Sequence, residues 1–62
     1  MIKKILTLNF KSGKKLVSEI DMIHLFHDTY CLAVNESGGF NYVVSLYELE
    51  NIELNVLLNE RN

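Results

Sequence analysis

Apolar and polar residues alternate from the start of the chain: Ile2, Leu6, Leu8 and Phe10 hold even positions, and Lys3, Thr7 and Asn9 hold odd ones. A period of two is the signature of a strand with one face in a core and the other in water. Lys4 alone breaks the series. Leu16, Ser18, Ile20 and Met22 continue on even positions, separated by Glu19 and Asp21, so a second strand of the same parity follows the stretch "KSGK". The two strands predict a hairpin.

Its register follows from the loop. If Lys11, Ser12 and Gly13 form the connection, with Gly13 in the left-handed conformation that a glycine bulge requires, Phe10 pairs with Lys14. Leu8 then faces Leu16 and Leu6 faces Ser18 on one side, and Ile5 faces Glu19 and Lys3 faces Asp21 on the other. A shorter loop of Ser12 and Gly13 would set Leu6 against Glu19 and bring charge to the core face. A slip of one residue exchanges the faces of a whole strand, so the longer loop is the expected one.

Further along, His27, Asp28 and Thr29 read as a turn. Tyr30, Leu32 and Val34 alternate up to "NESGG", after which Phe40, Tyr42 and Val44 alternate again, predicting a second hairpin. "SLYELEN" makes one helical turn before Ile52, Leu54, Val56 and Leu58 alternate with Glu53 and Asn55 in a last strand. The rival for residues 46–60 is a helix, because Leu46, Leu49, Ile52 and Val56 also fall at helical spacing. With the strand preferred, the chain is a single mostly-β domain over residues 1–62. It is expected to be a small antiparallel five-stranded meander or open barrel, similar in layout to the SH3-like or Sm-like class, with a short helical turn before the last strand.

Composition narrows this picture. A domain of 62 residues buries only about 60% of the surface its unfolded chain exposes, so its own core is marginal. No apolar run approaches the roughly 20 residues that span a bilayer. "MIKKILTLNF" is interrupted by Thr7 and Asn9 and has no small-residue cleavage site after it, so no export signal is read and no membrane partner is expected. The lone Cys31 cannot form an internal disulfide, and a reducing, cytoplasmic setting fits. Stability must come from packing or self-association.

Self-association has a candidate surface. Ile5, Val17, Ile23, Leu25, Cys31, Ala33 and Val43 all hold odd positions, opposite the expected core, and a solvated sheet face is rarely so apolar. A homodimer is expected, with Ile5, Val17, Ile23, Leu25 and Val43 at its interface.

Charge is unevenly distributed. Lys3, Lys4, Lys11, Lys14 and Lys15 precede every one of the eight acidic residues. A lysine-rich hairpin is commonly a solvated, aggregation-resistant edge; its functional reading is contact with an acidic partner through Lys11, Ser12, Lys14 and Lys15. Sequence-specific DNA reading does not fit a net charge of −2 and a basic stretch without arginine. A single-strand or nucleotide site would need stacking aromatics beside the lysines, and Phe10, Tyr30 and Tyr42 are expected on the core face.

Other candidate chemistry is weak. His24, His27, Asp28 and Cys31 are all metal-capable, but positions three apart in a strand point to opposite faces, so the histidines do not converge. Cys31 lacks the setting of a low-pKa thiolate and reads as a packed small hydrophobe. Ser37, Gly38 and Gly39 lack the lysine and strand-to-helix context of a phosphate loop. Glu48, Glu50 and Glu53 have no evident pocket to raise their pKa values. No metal, cofactor or enzymatic activity is expected.

With its lysine-rich start, its high Ile, Leu and Asn content and its "FKSGK" hairpin, the chain resembles the short proteins encoded by phages and prophages of low-GC Gram-positive bacteria. That resemblance implies a host-interaction or anti-defence role: an inhibitor that binds a host effector protein or sequesters a nucleotide signal. Two readings follow. One is a dimeric protein-interaction module using the lysine hairpin and an adjacent strand edge. The other is a small barrel that holds a nucleotide or single-stranded nucleic acid, with Lys11, Lys14 and Lys15 on phosphates.

Overall fold

The computed structural model describes residues 2–58. It contains β1 (Ile2–Phe10), β2 (Lys15–Phe26), β3 (Cys31–Glu36), β4 (Asn41–Ser45), a 3-10 turn (Leu46–Glu48) and β5 (Leu49–Leu58). The strands form one antiparallel sheet in the order β4-β3-β2-β1-β5. This is the expected five-stranded open arrangement, with a single helical turn before the last strand. The segment after that turn is a strand: it pairs along β1 from Phe10↔Leu49 to Ile2↔Leu58. Residues 59 and 60 of the rival helix lie outside the described residues.

The first hairpin has the predicted register, including Ile5↔Glu19, Leu6↔Ser18 and Leu8↔Leu16. Phe10 N donates to Lys14 O at 2.8 Å, Gly13 N donates to Phe10 O at 2.9 Å, and Gly13 has φ +98°. The expected Lys3–Asp21 pair lies beyond the last pair of this ladder, Lys4↔Ile20. The second hairpin repeats the same loop geometry. Glu36 N donates to Phe40 O at 2.7 Å, Gly39 N donates to Glu36 O at 3.0 Å, and Gly39 has φ +100°.

Two irregularities shape the sheet. Ile20 pairs with Glu36 while Met22 pairs with Asn35, so Asp21 is an extra residue on β2. Such a bulge exchanges the faces of everything beyond it. Ile23 and Leu25 therefore sit opposite Val34 and Leu32, on the core side. The expectation that they share the outer face with Ile5, Val17 and Val43 is corrected: the five proposed interface residues do not form one surface. Lys4, the exception to the β1 pattern, donates from Nζ to the carbonyl of Asp21 at 2.9 Å. In β5, Glu50 is the extra residue between Asn9↔Asn51 and Phe10↔Leu49, which turns Leu49 into the core.

That core consists of Leu6, Leu8, Ile20, Leu32, Val34 and Leu49, flanked by the half-buried Phe10, Tyr42, Val44 and Leu46. Ser18 Oγ and Tyr42 Oη are hydrogen-bonded at 3.0 Å. They belong to β2 and β4, which β3 separates in the sheet, so the sheet curls to bring them together. Tyr30 and Phe40, placed on the core face by simple alternation, are instead 45% and 76% exposed. Tyr30 falls in a turn and Phe40 just before β4, where the ladder that enforces alternation is interrupted.

Curling is partial. The radius of gyration is 12.6 Å and the extents are 43 × 23 × 18 Å, against a radius of roughly 10–11 Å for a compact domain of this length. The β1–β5 ladder runs on to Ile2↔Leu58, whereas the β1–β2 ladder ends at Lys4↔Ile20. A two-stranded ribbon thus extends past the core.

Candidate functional site

The hairpin tip does not stand alone. Lys11 N donates to Glu48 O at 2.9 Å, tying the first loop to the 3-10 turn that leads into β5. Between them lies an open cleft of about 400 Å³ lined by Phe10, Lys11, Ser12, Tyr47 and Glu48. Ser45 Oγ accepts a hydrogen bond from Tyr47 N at 3.3 Å and so caps the turn. Tyr47 is 69% exposed, with its ring centroid 4.5 Å from that of Tyr30 and tilted by 54°.

Tyr30 has φ +55°, a conformation costly for a bulky side chain. It ends the β2–β3 turn, and its carbonyl accepts from Leu46 N at 3.0 Å. The strained residue therefore buttresses Tyr47 by ring contact and fastens the turn beneath it. Sequence reading did not single out Tyr47, because its place beside Lys11 depends on the long-range β1–β5 pairing. The available signal was local: a serine able to cap a turn, followed closely by an aromatic.

The predicted contact residues are all exposed, but they do not converge. Lys11 and Ser12 line the cleft. Lys14, opposite Phe10, projects from the concave side of the sheet, and Lys15, opposite Asn9, from the convex side. The residues lining the cleft carry one ammonium group, one carboxylate, two hydroxyls and two aromatic rings. That is a chemistry of contact, able to receive a polar chain or a planar group.

The second exposed region is β5. Nine of its ten residues are exposed. Ile52, Leu54, Val56 and Leu58 face the concave side opposite Leu8, Leu6, Lys4 and Ile2, and they are 42%, 47%, 54% and 68% exposed. Of the former metal candidates, His24 sits opposite Ala33 within the ladder, while His27 and Asp28 lie in the turn. The Cys31 thiol donates to Thr29 O at 3.3 Å. Among the described residues, no helix is long and apolar enough to cross a membrane.

Comparison with protein-family models, with curated proteins and with solved structures found no match.

Proposed function

We propose that this chain is a non-enzymatic protein-interaction module that works as a homodimer in a reducing cytoplasm. β5 is its assembly strand, and the basic hairpin end contacts an acidic partner protein. The observation that carries this reading is β5: an edge strand of ten residues with only its first buried. Soluble proteins usually protect such an edge with lysine, proline or a short length. β5 has neither lysine nor proline; its bulge is confined to Glu50 near its start and its further charge, Glu53, faces the convex side, so that it presents four apolar side chains on the concave face. Backbone edge and apolar stripe together are the elements of strand addition. The resemblance to phage and prophage proteins supports a host protein as the partner, inhibited by being bound.

Affinity capture from a host cytoplasmic lysate tests the partner, using the wild type and the Lys11→Ala/Lys14→Ala/Lys15→Ala variant. The expected result is one retained protein whose affinity falls at least tenfold in the variant. Recovery of no protein overturns the interaction reading.

One observation favours a second reading, a nucleotide or single-stranded nucleic acid as ligand. The exposed Tyr47 ring stands beside Lys11 and Ser12, which joins a stacking surface to a phosphate contact. Glu48 in the same cleft weighs against it. In that case the triple variant would flatten the salt dependence of binding, and an unchanged slope removes the phosphate assignment.

A further inference from the structure

We infer that β5 pairs antiparallel with β5 of a second copy about a two-fold axis at Asn55, joining two sheets into one. This rests on the reading of β5 as the assembly strand and adds the geometry of the contact.

The free backbone groups come first. Phe10 N bonds to Lys14 O, so the backbone polar groups of Phe10 face β2. Those of Leu8, Leu6 and Lys4 do the same, by the alternation of an antiparallel ladder. The odd residues of β1 therefore face β5 and bond to their partners Asn51, Glu53, Asn55 and Leu57. That leaves the N–H and C=O groups of Ile52, Leu54, Val56 and Leu58 at the open edge, and these residues also carry the exposed apolar side chains. A pairing of even with even residues satisfies the backbone and keeps the apolar face continuous.

Polarity then selects the register. With the axis at Asn55, Leu54 faces the second copy's Val56 and Ile52 faces its Leu58, so all four apolar residues of the concave face meet apolar partners, while on the convex face Leu57 faces the second copy's Glu53. An axis at Leu54 would set Leu58 against Glu50. An axis at Glu53 would place two like charges directly opposite, which destabilises a sheet. At the axis itself the two Asn55 side chains face each other, and an amide both donates and accepts. A net charge of only −2 opposes this approach weakly, and a two-fold, self-complementary contact is the commonest form of oligomer.

Cysteine cross-linking tests the geometry in the full chain with Cys31→Ala as background. Across the axis the Cα atoms of position 55 approach to about 4.5–5.5 Å, within disulfide reach. Those of position 53 lie about 13 Å apart, outside it. Under mild oxidation Asn55→Cys is expected to form a covalent dimer at least tenfold faster than Glu53→Cys. Asn55 is exposed and on the convex side, so its replacement leaves the core untouched; circular dichroism and the mass of the reduced variant verify this. Equal or faster cross-linking at position 53, or a dimer by light scattering that neither cysteine captures, overturns the proposed axis while homodimerisation stands. A wild-type chain of 7.2 kDa at millimolar concentration overturns the dimer. Capture of a partner protein is measured separately and survives either failure.

Discussion

β4 and β5 are both edge strands of the same sheet, yet only one is sheltered. β4 has five residues, of which Tyr42 and Val44 pack against the core. Its Tyr42 hydroxyl reaches Ser18, and the turn that follows it is fastened to Tyr30. β5 is twice as long, and after Leu49 every residue is exposed. The difference does not lie in hydrophobicity, since Leu54 and Val56 are more apolar than Tyr42. It lies in what each strand covers: β4 curls over the core, whereas β5 lies beside β1 with Ile52 and Leu54 opposite the buried Leu8 and Leu6 yet themselves exposed, and its last two residues pair along the ribbon beyond the core. Burial here is decided by the curvature of the sheet more than by the side chains that line it.

The contrast can be broken from either side. Tyr42→Ala removes a half-buried ring and its hydrogen bond, with an expected loss of about 2–3 kcal/mol in urea unfolding. Val56→Ala, at high dilution, is expected to cost less than about 0.5 kcal/mol; equal losses would mean that β5 is as well packed as β4. Next in size is the effect on assembly. Leu54→Lys is expected to weaken self-association at least tenfold, about 1.4 kcal/mol, by light scattering. Val43→Lys on the convex face leaves the mass unchanged, and the opposite outcome would move the contact to that face. A double-mutant cycle of Ser18→Ala with Tyr42→Phe is expected to give a coupling of about 1 kcal/mol, the part of β4's shelter due to one hydrogen bond. Gly13→Ala and Gly39→Ala each force alanine to a left-handed φ with open space around the new Cβ. Thermal unfolding is expected to show a loss of about 1 kcal/mol for each. Gly38→Ala, without that conformation, leaves stability unchanged or raises it by a few tenths of a kcal/mol, the smallest effect.

The first hairpin was legible because its even-numbered apolar series, interrupted only by Lys4 and Ser18, keeps one parity on both sides of a glycine loop, so that one register satisfies loop and faces together. Legibility ended at the bulges. Asp21 and Glu50 are ordinary polar residues in composition, and nothing local marks either as the extra residue that inverts the faces beyond it. Simple alternation therefore puts Ile23 and Leu25 on the outer face and gives Leu49 no place in the core. The lysine-bearing loop was legible in the same local way, from "FKSGK". The cleft was not: Tyr47 and Lys11 line it together only once β5 has paired with β1, and Tyr47 rests there against the ring of Tyr30. Contacts that close over long sequence separations leave no periodic trace.

The inward tuck of β4 also bears on solubility. If a copy offered β4 to the β5 of its neighbour, a fresh β5 would remain at the end of every added chain, and the sheet would lengthen into a fibre. β5 pairing with β5 consumes both long edges at once and leaves only two short β4 strands outside. Each of these is turned against its own core by Tyr42 and Val44 and is a poor template for the next chain. In the proposed β5–β5 dimer the curl that completes the core acts as a chain terminator, and loosening it at Tyr42 is expected to let assembly run past two copies and the protein precipitate.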